Sequence, residues 1–145
     1  MKISNPTVLV MFVAMSLFAC KANTPQNQET ETVIGENIIS DDVQVYYFHN
    51  TKRCATCNAI EEETKTALQM FYEDQMNAGT MEFTSLNLEE DEGEKMAQAL
   101  KVSGQTLLLV KGKTRMDLTN EAFMNARTNP ARFHEILRAQ IDKLL

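Results

Sequence analysis

Cys54-Ala55-Thr56-Cys57 stands between a run of strand-forming residues and the start of a helical pattern, a placement that narrows the fold more than any other feature of the chain. Val43-Gln44-Val45-Tyr46-Tyr47-Phe48 is β-branched and aromatic. It is too short and too apolar on both faces for anything but a mostly buried strand. After the dithiol, Ile60, Thr64, Ala67, Leu68, Phe71 and Tyr72 fall at helical spacing, with Glu61, Glu62, Lys65 and Gln69 on other faces. Both cysteines therefore belong to the first turn of a helix that follows a buried strand.

The rest of the chain continues the alternation. Met81 to Leu88 has an imperfect period of two and predicts a second strand, and Met96, Ala97 and Leu100 a shorter second helix. Thr106 to Val110 predicts a third strand. Gly112, between Lys111 and Lys113, allows the chain to turn into a fourth strand, Thr114 to Leu118, as a hairpin. Asn120 to Arg127 carries a short helical pattern. Asn129-Pro130 pairs an N-cap residue with proline at the first helical position, and Phe133, Ile136, Leu137, Ile141 and Leu144 then form one apolar stripe. The expected order is β-α-β-α-β-β-α, an α/β fold with a mixed four-stranded sheet flanked by helices over residues 41–145. The acidic run Glu89-Glu90-Asp91-Glu92 suits a solvated loop leading into a helix whose first turn favours negative charge.

This order, with a C-x-x-C between the first strand and the first helix, resembles the thioredoxin-like fold. The strings "VYYFHNTKRCATCNAIEEETKTAL", "VSGQTLLLVKG" and "DLTNEAFMNARTNP" resemble a small group of bacterial envelope lipoproteins catalogued as the nitrophenyl compound nitroreductase subunit ArsF family, over about residues 43 to 145. No G-x-G-x-x-G flavin or nicotinamide fingerprint is visible, so no cofactor is expected and the chain is not itself read as a nitroreductase. The thioredoxin resemblance implies a cis-proline packed against the dithiol before the third strand. Here Gly104-Gln105-Thr106 occupies that region, which makes Gln105 a candidate supporting residue. The intervening pair is Ala55-Thr56 rather than Gly-Pro, and no tryptophan precedes it. These departures favour exchange with one dedicated partner over reduction of many proteins.

The physical case for the dithiol is separate from the resemblance. A cysteine at a helix N-terminus faces unsatisfied backbone N–H groups and the positive end of the helix dipole, both of which stabilise a thiolate. Lys52 and Arg53 add positive charge nearby. Cys54 is the candidate nucleophile of a thiol–disulfide oxidoreductase, and Cys57, one turn along and more enclosed, the resolving thiol. Glu61, four residues beyond Cys57, would oppose ionisation there. Two other chemistries fit the same pair. A structural disulfide would pin the helix start, though closing so short a loop removes little chain entropy. A soft ion such as Cu(I), or a metalloid such as arsenite, could be held by Cys54, Cys57 and His49. A zinc site would need a second ligand pair, and none exists once the third cysteine has another role.

That role is suggested by the N-terminus. Lys2 is followed by an apolar run, Val8 to Phe18, ending in "LFAC", which reads as an export signal over residues 1–19. "LFAC" resembles the lipobox of bacterial lipoproteins and would make Cys20 the lipidated first residue of the mature chain. A signal anchor retained in the membrane is the alternative. Residues 20–40 are polar, without helical or strand period, and read as a tether of roughly 25 Å end to end. The expected setting is the bacterial envelope, with the domain facing the periplasm or the cell exterior and a redox partner protein there. A net charge of −6 and the lack of a lysine- and arginine-rich cluster with interleaved aromatics argue against a nucleic-acid partner. The nine methionines form no copper box: two lie in the signal, one is the initiator, and Met70, Met96 and Met124 suit helical packing.

Overall fold

A computed structural model describes residues 40–145. The expected signal over residues 1–19, the expected lipidation at Cys20 and the expected tether up to residue 39 lie outside the described residues. The chain runs β1 (Val43–His49), α1 (Ala55–Ala78), β2 (Met81–Asn87), α2 (Asp91–Ala99), β3 (Thr106–Lys111), β4 (Thr114–Asp117), α3 (Thr119–Asn125) and α4 (Pro130–Ile141). The sheet order is β2-β1-β3-β4, with β1 parallel to β2 and the other two pairings antiparallel. This is a mixed α/β fold of the thioredoxin-like kind, and β1 is interior to its sheet.

That central place explains why β1 is apolar on both faces. Val43, Val45 and Tyr47 join Met81, Leu107 and Leu109 on one face, against Ile60, Ala67 and Leu68 of α1, Ala122 of α3 and Phe133, Leu137 and Ile141 of α4. Tyr46 and Phe48 join Leu86, Leu108 and Val110 on the other, beneath Ala97 and Leu100 of α2 and its cap. Each fully buried large side chain, Phe48 and Phe133 among them, contributes about 1.5–3 kcal/mol relative to exposure. The three layers hold β1 in place, and its C-terminal end carries the loop to the dithiol.

The ends of the elements follow local chemistry. Gly79 closes α1 in the left-handed region at φ 72°, with Thr80 N–H donating to the Gln75 carbonyl (3.0 Å) and Gly79 N–H to that of Met76 (3.2 Å). The second strand stops one residue short of the expected Leu88, because Asn87 turns the chain: its Oδ1 accepts Glu89 N–H (3.1 Å) and its Nδ2 donates to Glu90 and Thr51 (both 2.9 Å). The fourth strand likewise ends at Asp117, whose Oδ1 accepts Thr119 N–H (2.9 Å) and starts α3. The short helical pattern expected over 120–127 is Thr119–Asn125, so two helices rather than one follow the hairpin. Asp91, Glu92 and Glu94 occupy the first turn of α2, and Asn129 caps α4 by accepting Arg132 N–H at 3.3 Å. Among the described residues, no helix is long and apolar enough to cross a membrane.

Candidate functional site

Four residues, Asn50 to Arg53, separate the end of β1 at His49 from Cys54, which is the N-cap of α1 with extended backbone (φ −87°, ψ 166°). In that conformation its Sγ accepts the backbone N–H of Cys57 at 3.1 Å. Sulfur here takes the place of the side-chain oxygen of an ordinary N-cap, and it meets one of the donors that the first helical turn leaves unpaired. Cys54 and Cys57 form a disulfide with their Cα atoms 5.1 Å apart. Their surroundings differ sharply. Cys54 is exposed, whereas Cys57 is 2% exposed.

Two side chains that precede the helix hold the turn from behind. The Tyr47 hydroxyl, on the buried face of β1, donates to the Cys57 carbonyl at 3.0 Å. Arg53 Nη2 donates to the same oxygen at 3.2 Å, and the Arg53 guanidinium lies 5.5 Å from the Tyr47 ring centre. Its Nη1 pairs with Glu61, which also receives Lys65 Nζ at 2.5 Å. Burial pushes the Glu61 carboxyl up, but the hydrogen bonds and charges of Lys65 and Arg53 outweigh it and hold the pKa at about 2. Burial raises the Tyr47 pKa, with the Glu61 charge adding to it and Arg53 opposing. Arg53 is thus directed along α1 toward Glu61 and the Cys57 carbonyl. Lys52 is exposed on the loop, and among the described residues it has no carboxylate at ion-pair distance.

Gln105, immediately before β3, closes the other side. Its Oε1 lies 3.2 Å from Cys57 Sγ, across 48 residues of sequence. Thr106 is paired with Phe48, so the β1–β3 register brings this residue to the dithiol end of the sheet. His49 ends β1 half-buried, its Nδ1 3.0 Å from the Asn50 carbonyl oxygen and its ring tilted against that of Tyr47. Among the described residues, no group of three or more His, Cys, Asp or Glu side chains converges as a metal site. A polar hollow of about 220 Å³ lies beside the turn, lined by Arg53, Asn58, Glu61, Glu62 and Lys65. Tyr47 is the functional neighbour that sequence reading did not single out. Its hydroxyl was the available signal, since a buried tyrosine needs a partner for its O–H.

The arrangement leaves one cysteine exposed and encloses the other, with a backbone donor aimed at the sulfur of the exposed one. No family model matches the chain, and no curated protein matches it. Among solved structures, one described as the structure of a malarial protein is similar at 23% identity, covering 57% of this chain and 93% of that one, with a TM-score of 0.38.

Proposed function

We propose that the domain carries out thiol–disulfide exchange through Cys54 and Cys57, in the bacterial envelope, on a lipid anchor at Cys20 and with a dedicated partner protein. The observation that carries the reading is the Cys57 N–H···Sγ Cys54 contact of 3.1 Å at an exposed helix N-cap, with the second sulfur enclosed one turn along. A donor fixed at that distance favours a thiolate on Cys54 once the bridge is reduced. A structural bridge needs neither the exposure of one sulfur nor the donor aimed at it.

The chemistry balances as a two-electron exchange. The Cys54 thiolate attacks one sulfur of a partner disulfide and expels the other as a thiolate, leaving a mixed disulfide. Cys57 gives up its proton and attacks Cys54 Sγ, which releases the partner's second sulfur as a thiol and forms the Cys54–Cys57 bridge. The partner gains two electrons and the domain loses them, and a thiol donor restores the dithiol. Running the steps backward oxidises a partner dithiol instead.

Trapping tests this reading. Cys57→Ser in the full chain should accumulate a mixed disulfide with one partner in host cells, and Cys54→Ser should not. A full chain isolated anaerobically with one copper or arsenic per molecule, and no trapped partner, would transfer the reading to soft-ion capture by the same sulfurs. For the anchor, Cys20→Ser should abolish labelling by a radioactive fatty acid. Persistent labelling would remove the lipoprotein claim.

A further inference from the structure

Cys57 must lose a proton and swing its sulfur onto Cys54 during exchange, yet at 2% exposure it has almost no water to accept that proton or solvate the resulting charge. Among the described residues, Gln105 is the only side chain with a polar atom at hydrogen-bond distance from Cys57 Sγ, with Oε1 at 3.2 Å. The other nearby polar groups serve different atoms. Tyr47 and Arg53 both donate to the Cys57 carbonyl, and Glu61 is held by Arg53 and Lys65. Gln105 is itself half-buried and anchored by its neighbour Thr106, which pairs with Phe48 and whose Oγ1 donates to the Gly104 carbonyl at 3.1 Å.

From this geometry we infer that Gln105 is a positioning residue for the resolving thiol, its amide meeting Cys57 Sγ as acceptor while the sulfur is protonated and as donor once it is a thiolate. A glutamine amide offers both an acceptor oxygen and N–H donors at nearly the same place, and a half-turn of its last bond exchanges them. In the disulfide the sulfur carries no proton and the amide rests against it. Reduction supplies the S–H that Oε1 accepts. When that proton leaves with the departing partner thiol, the half-turn brings Nε2–H to the sulfur and stabilises the attacking thiolate. Neither a carboxylate nor an apolar side chain can serve both states. A carboxylate accepts from the thiol but repels the thiolate, and an apolar group does neither.

This inference rests on the exchange reading, and two measurements keep their failures apart. The first is rapid-quench kinetics of the reduced full chain with oxidised glutathione, with the mixed disulfide followed by mass spectrometry. Gln105→Leu and Gln105→Met should form the mixed disulfide within two-fold of the wild-type rate but resolve it about ten-fold more slowly, the order of one hydrogen bond to a charged group. Gln105→Glu should be slower still. Resolution within two-fold of wild type in the Leu and Met variants overturns the inference. The second measurement needs no exchange: the S–H stretching band of Cys57 in the Raman spectrum of Cys54→Ser. Adding Gln105→Leu should move that band to higher frequency as the acceptor is lost. An unmoved band overturns the role of Gln105 even if the domain exchanges no disulfide, whereas a moved band with no mixed disulfide in the wild type overturns the exchange reading alone.

Discussion

The Tyr47 hydroxyl donates to the Cys57 carbonyl at 3.0 Å, tying the middle of the central strand to the first turn of the helix that bears the dithiol. The contact is buried at both ends, and it fixes the carbonyl while leaving the sulfur free to react. Tyr47→Phe keeps the ring in the core and removes only this bond. Arg53 still donates to the same oxygen, so the loss should be about 0.5–1.5 kcal/mol. Urea unfolding of the oxidised domain checks it. A loss above about 3 kcal/mol would mean that the ring, rather than the hydroxyl, had been displaced.

The two sulfurs should differ in reactivity once reduced. Cys54 is exposed and accepts a backbone N–H, while Cys57 is enclosed. Alkylation by iodoacetamide at neutral pH should therefore modify Cys54 at least ten-fold faster, an order-of-magnitude expectation for an activated and accessible thiol. Peptide mapping after short exposure reads the ratio, and equal labelling would remove the nucleophile assignment.

Glu61 links the site to pH. Its carboxyl is held at about 2 in the folded domain, against about 4.3 in an unfolded chain. Between those values the unfolded state binds the extra proton, so the stability that ionised Glu61 contributes is fully present above the unfolded value and is lost as pH falls toward 2. The wild type should exceed Glu61→Gln in stability at pH 7, and the gap should close on acidification through that window. Urea midpoints at pH 7, 4 and 2.5 measure it. A gap unchanged at pH 2.5 contradicts the assigned ionisation.

Gly93 marks a close approach of α2 to the end of β2. A Cβ built there would lie 1.9 Å from the Asn87 carbonyl oxygen, a backbone atom that no side-chain rotation can move away. Gly93→Ala should cost about 1–3 kcal/mol or more, through displacement of the helix rather than through helix propensity, which favours alanine. Thermal unfolding of the variant checks the sign, and a stabilised Gly93→Ala domain would refute the contact.

Arg53 and Gln105 show how far the site could be read along the chain. Nearness to the dithiol marks both, Arg53 in sequence and Gln105 through the region before the third strand. Neither partner was legible. That Arg53 turns toward Glu61 and the Cys57 carbonyl depends on how the loop enters the first turn of α1. That Gln105 reaches Cys57 Sγ depends on the register of β3 against β1, where a slip of one residue would send it to the opposite face.

By itself the sequence determined what neighbours along the chain can settle. The apolar run of β1, the helical period after the dithiol, the turn at Gly112 and the Asn129-Pro130 start of α4 are each decided by backbone preference and by hydrogen bonds spanning a few residues. The end points of β2 and β4 shifted by a residue because the Asn87 and Asp117 side chains accept the backbone N–H two residues ahead and turn the chain. Only the tertiary structure decided the order β2-β1-β3-β4, the burial of Cys57 against the exposure of Cys54, and the placing of Tyr47 and Gln105 on either side of the enclosed cysteine. Those features are contacts between segments up to 48 residues apart. They exist only when sheet pairing and helix packing have brought the segments together, because no local preference encodes which distant atom a side chain will meet.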